Sequence, residues 1–250
     1  MREKIRFLMN KKSFHLVMII VIIAVILFAL GIIVLKYNAE GETNMPFELT
    51  KISVISSSEG EDKEVEGSKW AFDLYQTNDV YLYIDKNKYY GKTEAIKSVL
   101  IDNIQIEAKN KENIKIYKPD NKEENVIFKN TEENEIKELE FFGDIESNIK
   151  TLKISNQGGL VAFRCSNNNL VEYISNDEEI IHNQLLKKAN VTIEDIKIKL
   201  IFDLSIDLED GKKYKTTIQL DLPIGNVIDD GITSTEITDL DEYIFKRAKN

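Results

Sequence analysis

From residue 196 to residue 208 every even position is apolar: Ile196, Ile198, Leu200, Phe202, Leu204, Ile206 and Leu208. The odd positions are mostly Lys, Asp and Ser, with Ile201 the exception. Side chains alternate across a strand with period two, so this segment predicts a β-strand with one buried face. After Glu209, Asp210 and Gly211 the even rule resumes with Tyr214, Thr216, Ile218, Leu220 and Leu222. A three-residue loop ending in a left-handed Gly211 pairs Leu208 with Lys212, Ile206 with Tyr214 and Phe202 with Ile218. That register keeps the apolar faces together. A two-residue loop would pair Leu208 with Lys213 and set the faces at odds.

Shorter apolar runs of strand length fill most of the preceding chain, at 47–55, 70–75, 80–85, 96–106, 114–117, 126–128, 136–142, 149–154, 160–165 and 170–174. Charged or Asn/Gly/Ser clusters separate them, as expected between strands. Residues 56–68 (SSSEGEDKEVEGS) and 119–124 read as exposed loops, and residues 156–159 (NQGG) as the turn of a second hairpin. One helix is expected at 177–189, capped by Asn176, with acids first and Lys187 and Lys188 last. A shorter one is expected at 239–249, with Thr238 as its cap. So many strands with so little helix predict a mainly β fold, either one β-sandwich or two β-units in tandem. A tandem arrangement would place units at 45–130 and 131–225, divided near the polar residues 129–135, with 226–250 as a C-terminal tail.

Residues 16–35 (LVMIIVIIAVILFALGIIVL) follow a different rule, being twenty apolar residues without a charge. At about 1.5 Å per residue a helix of this length spans roughly 30 Å, the thickness of a bilayer's hydrocarbon core. Arg2, Lys4, Arg6, Lys11 and Lys12 precede it, and Lys36, Glu40 and Glu42 follow. Basic flanks stay cytoplasmic, which predicts a cytoplasmic tail at 1–13, a transmembrane signal anchor at 14–36, a linker at 37–44 and an extracytoplasmic domain beyond. The expected partner of Leu16 to Leu35 is the lipid bilayer. A cleaved signal peptide fits less well, because its apolar region is shorter and ends in small residues. Here Lys36, Tyr37 and Asn38 follow.

Charge and cysteine content narrow the function. Residues 1–36 contribute +5 to an overall −10, leaving −15 on residues 37–250. Such a surface repels nucleic acid and anionic membranes. Cys165 is the single cysteine, so no intrachain disulfide forms and the domain must rely on its core. Richness in Ile, Asn, Lys and Glu points to an AT-rich bacterial genome and, with the anchor, to a Gram-positive cell surface.

No motif for nucleotide, zinc or acyl-transfer chemistry occurs. His15 and His182 are the two histidines, and His15 is membrane-proximal, which leaves no zinc set. Asp207, Glu209 and Asp210 before Gly211, and Asp229 and Asp230 before Gly231, are the nearest approaches to calcium loops and read better as turns. Neither a metal nor a cofactor is expected. The region that invites a binding role is aromatic: Trp70, Tyr75, Tyr81 and Tyr83, with Phe72, Tyr89 and Tyr90 nearby. Strands with aromatics on both faces can bury one and offer the other.

Three resemblances bear on this reading. Residues 44–52 (NMPFELTKI), 153–159 (KISNQGG) and 218–226 (IQLDLPIGN) resemble segments of uncharacterised single-pass membrane proteins of low-GC Gram-positive bacteria, a group that implies no activity. Lys12, Ser13, Phe14 and the following apolar run resemble the N-terminus of type IV pilin-like proteins. However, Ser13 stands where that family has Gly or Ala, and Met18 where it has Glu. An anchor followed by a β domain with Cys165, His182 and Arg164 resembles sortases, yet the order of the three is wrong and no Thr precedes the Cys. The expected function is therefore a non-enzymatic, membrane-anchored domain that binds or scaffolds envelope components. A carboxylate-dependent envelope enzyme is the alternative, and a pilin-like minor subunit a third.

Overall fold

A computed structural model describes residues 2–120, 127–144 and 152–248. The chain divides into two units, Met1–Thr43 and Asn44–Asn250.

The first unit is one helix, α1 (Arg2–Glu40). Within it Phe14–Glu40 is long and apolar enough to cross a membrane, and none of its most apolar window is buried by protein. The helix runs further than the sequence pattern implies, taking in residues 37–40 of the expected linker. Two local causes extend it. Lys36 and Glu40, one turn apart, lie 3.6 Å from each other. Gly41, at φ +70°, then adopts the left-handed conformation that ends helices, and its N–H donates to the Tyr37 carbonyl.

The second unit carries two five-stranded antiparallel sheets. The strands are β1 (Phe47–Asp62), β2 (Trp70–Lys86), β3 (Ile96–Ala108), β4 (Ile114–Tyr117), β5 (Leu139–Phe142), β6 (Gly159–Ser175), β7 (Ile198–Leu208), β8 (Lys213–Leu222), β9 (Ile232–Ile237) and β10 (Lys246–Ala248). The first sheet has the order β4-β6-β2-β1-β9 and the second β10-β8-β7-β3-β5. Both contribute to one apolar core, with Val54, Leu82 and Phe163 from the first and Val99, Phe202 and Leu220 from the second. The rings of Phe163 and Phe202 meet edge to face at 5.2 Å. Burying each is worth roughly 1.5–3 kcal/mol. The fold is a β-sandwich.

This pairing overturns the tandem arrangement. β2 pairs with β6 and β3 with β7, so each sheet joins strands from both sides of residues 129–135. The polar stretch there is a crossing segment that lies over the first sheet. The β7–β8 hairpin has the predicted register: Phe202 opposes Ile218, Ile206 opposes Tyr214, and Leu208 accepts from Gly211 while donating to Lys212.

Three strands are longer than their apolar runs. β1 continues through residues 56–62, expected as loop, while β2 and β6 each join two expected strands through a polar centre. The polar centres lie level across the sheet, with Ser56, Asn78 and Cys165 in one row and Ser57, Thr77 and Ser166 in the next. Ser56 Oγ donates to Asn78 Oδ1 (2.8 Å), Gln76 Nε2 donates to the same oxygen (2.7 Å), and Asn78 Nδ2 donates to the Cys165 carbonyl (3.3 Å). Polar residues persist in a buried strand when they satisfy one another.

Beyond this belt the same strands carry a second apolar cluster. Phe72 and Leu74 are covered by Leu185 and Leu186 of α2 (Leu185–Lys188), Ile196 of α3 (Ile193–Ile196) and Val227 of α4 (Val227–Asp230). The helix expected at 177–189 is thus confined to its second half. Trp70 Nε1 donates to the Asp177 carbonyl, and the Asn176 side chain accepts from the Lys69 N–H instead of capping a helix. These bonds hold the start of the segment extended.

Two further expectations change. Residues 155–158 do turn, with the Gly158 N–H on the Ser155 carbonyl, but the flanking segments do not pair with each other. Lys153 bridges to Phe142 in parallel, and β6 belongs to the other sheet. The expected helix at 239–249 is instead a turn followed by β10, which completes the edge beside β8. Parts of the expected strands 126–128 and 149–154 and of the loop 119–124, and Lys249, lie outside the described residues.

Candidate functional site

The outer face of the first sheet carries the odd-numbered side chains of β2, opposite to those in the core. Tyr75, Tyr81 and Tyr83 share this face, but Trp70 does not: it stacks on Phe72 in the second cluster. A period of two separates an even from an odd position. Tyr83 lies under the Lys51 ammonium (4.3 Å), which also pairs with Glu236, and Tyr81 packs against Phe128. Of the four, Tyr75 borders a cavity on this face.

That cavity, about 580 Å³, is lined by Tyr75, Tyr117, Asn130, Asn168 and Asn169, with Glu61 and Asp73 at one side. A bulge in β6 makes it. Leu74 pairs with Val171 while Gln76 pairs with Asn167, so Asn168, Asn169 and Leu170 together face the single residue Tyr75. Asn169 sits at φ 52°, a conformation Asn tolerates better than most residues. Bulges of this kind re-aim side chains and are common beside binding sites.

Hydrogen bonds fix the walls. Asn168 accepts from Ser166 Oγ (2.7 Å) and donates to the Tyr117 hydroxyl (2.9 Å). Asn130 donates to Ser166 Oγ (3.1 Å) and accepts from Arg164 (3.4 Å). The Tyr75 hydroxyl donates to Glu59, which Ser57 and Thr77 also hold. Burial, reinforced by the Glu59 charge, pushes the Tyr75 phenol up from its ordinary value and keeps it protonated. Burial likewise raises Tyr117, partly offset by the Asn168 donor.

Next to Asn130 of the cavity wall, Arg164 and Asp79 form a two-pronged pair with side chains about one-seventh exposed. Phe128 lies over this guanidinium, 5.2 Å away. Burial raises the Asp79 carboxyl above its ordinary value, against the pull of Arg164.

The remaining residues singled out in the sequence do not converge. Cys165 is wholly buried in the main core, and burial pushes its thiol up to about 12. His182 sits against the Phe72 ring in the second cluster. Asp210 is held by Lys212 in the β7–β8 turn, and Asp207 pairs with Lys213. Asp229 pairs with Lys187 at 2.7 Å, and Asp230 precedes the turn at Gly231. Among the described residues no three His, Cys, Asp or Glu side chains come close enough to hold a metal ion.

Asn130, Asn168, Asn169 and Tyr117 escape sequence reading. The run Asn167-Asn168-Asn169 between two apolar segments is the one available signal, since consecutive Asn residues favour an irregular backbone. Comparisons with protein-family models, curated proteins and solved structures returned no match.

Proposed function

We propose that this chain is a single-pass membrane protein whose β-sandwich binds or scaffolds other components of the cell envelope. The N-terminus lies in the cytoplasm, and the outer-face cavity is the recognition site. The observation that carries the anchor is α1: from residue 14 onward every side chain is exposed, although the segment is almost wholly apolar. Such a surface needs lipid around it. The basic residues before it and the acidic domain after it support the orientation.

A surface label tests this orientation. Tyr89 is 97% exposed, whereas Cys165, the single native cysteine, is 0% exposed. A Tyr89→Cys variant should react with a membrane-impermeant maleimide on intact cells, against a silent wild-type background. Labelling only after the cells are opened would refute the orientation.

A second reading, a carboxylate enzyme, is supported by Glu61 and Asp73, which oppose each other directly across β1 and β2 at the cavity. Cross-strand neighbours have Cβ atoms about 4.5–5.5 Å apart, close enough for paired carboxylates to act together. Loss of function in Glu61→Gln with unfolding unchanged would favour it over scaffolding.

A further inference from the structure

We infer that the outer-face cavity recognises a neutral saccharide. This rests on the reading of that cavity as the recognition site, and follows from which of its polar groups are already committed.

Asn168 and Asn130 are used within the wall, so they shape the site more than they bind. Asp73 gives one oxygen to Lys63 (3.3 Å) and keeps the other. The Tyr117 hydroxyl accepts from Asn168 and retains its own proton to donate. The Asn169 amide has both a donor and an acceptor to offer, because among the described residues no side-chain hydrogen bond engages it, Asn113 donating to the backbone carbonyl. Glu61 is exposed at the rim. The free groups are therefore mixed: donors on Tyr117 and Asn169, acceptors on Asn169, Asp73 and Glu61.

Mixed capacity selects among ligands. An anion would meet two carboxylates and, among the described residues, no lining Lys or Arg. A cation would satisfy the carboxylates but leave the Tyr117 and Asn169 donors without acceptors. A hydroxyl is donor and acceptor at once, so a ring bearing several adjacent hydroxyls can satisfy every group. A cavity of about 580 Å³ falls within the range of small-molecule sites and leaves room for a short oligosaccharide. Tyr75, fixed through Glu59, supplies a rigid aromatic wall at little entropic cost on binding.

Calorimetric titration of the full chain in lipid nanodiscs tests this with four probes: cellotetraose, chitotetraose, tetralysine and tetragalacturonate. At least one neutral tetrasaccharide should bind. Asn169→Gly, which keeps the positive φ without strain, and Tyr117→Phe should each weaken it about tenfold. Asn169→Gly should leave thermal unfolding unchanged, which separates loss of contact from loss of fold. Saccharide binding undiminished in both Asn169→Gly and Tyr117→Phe overturns the inference. So does binding of either charged probe without a neutral one, and if that binding falls in Asn169→Gly the recognition site itself stands. Silence of all four probes refutes both the saccharide and the recognition site. Hydrolysis of a bound tetrasaccharide keeps the ligand class and overturns the non-enzymatic reading.

Discussion

Arg164 of β6 and Asp79 of β2 are direct cross-strand partners, and the guanidinium meets the carboxylate with two donors, Nε at 2.6 Å and Nη2 at 3.0 Å. The same side chain holds Asn130 and carries Phe128 above it. One ion pair thus ties the segment carrying Phe128 and the wall residue Asn130 to the first sheet.

Removing one partner should cost far more than removing both. Arg164→Met strands a buried carboxylate and should destabilise by about 3–5 kcal/mol. Adding Asp79→Leu should recover much of this, since well-packed apolar residues can replace a buried pair. Urea denaturation of the two variants measures the difference.

Asn78 anchors the polar belt through Ser56, Gln76 and the Cys165 carbonyl. Asn78→Ala removes the acceptor of the Ser56 hydroxyl and the donor to Gln76 Oε1, while Ser56 still accepts from the Ile224 N–H and Gln76 still donates to the Thr77 carbonyl. The loss should cost about 1–3 kcal/mol. Amide exchange should speed up in residues 56–58 and 165–167 before it does so in the β7–β8 hairpin.

Gly211 occupies φ +83°, and a Cβ there would meet nothing within 4 Å. Gly211→Ala therefore isolates the backbone cost, roughly 1–2 kcal/mol. Gly211→Asn should cost less, because Asn tolerates the left-handed region. Thermal unfolding should rank the three as Gly, Asn, Ala.

Asp203 gives the second sheet a pH dependence of known sign. Burial pushes its carboxyl up, but hydrogen bonds from Asn103, Thr217 and Lys215 outweigh this and hold it below its ordinary value. A depressed carboxyl adds stability above the unfolded value, near 3.9, and loses it as pH falls through the folded value. Wild type should exceed Asp203→Asn by about 1 kcal/mol at neutral pH. The gap should close in unfolding measurements carried out below pH 3.9.

The sequence alone determined whatever depends on neighbours along the chain. Twenty uncharged apolar residues specify a helix long and apolar enough to cross a membrane, because length and apolar content are read from consecutive residues. The strict alternation around Gly211 specifies the β7–β8 hairpin and its register, since a one-residue slip would turn every apolar side chain outward. Tertiary structure decided the rest. Ser56, Gln76, Asn78, Ser166 and Asn167 look like loop residues in sequence, yet they form strand centres, because each is hydrogen-bonded there: Ser56 to Asn78 across two strands, Gln76 to Asn78 two residues on, Ser166 to Asn130 and Asn168, and Asn167 to the Asp195 carbonyl. The Tyr75 cavity depends on a bulge whose extra residues lie more than ninety positions away. Trp70, equally aromatic, was turned to the other face by parity alone. Polarity is readable one residue at a time, whereas the partner that makes a polar residue buried, or leaves it free to bind, exists only once the sheet has formed.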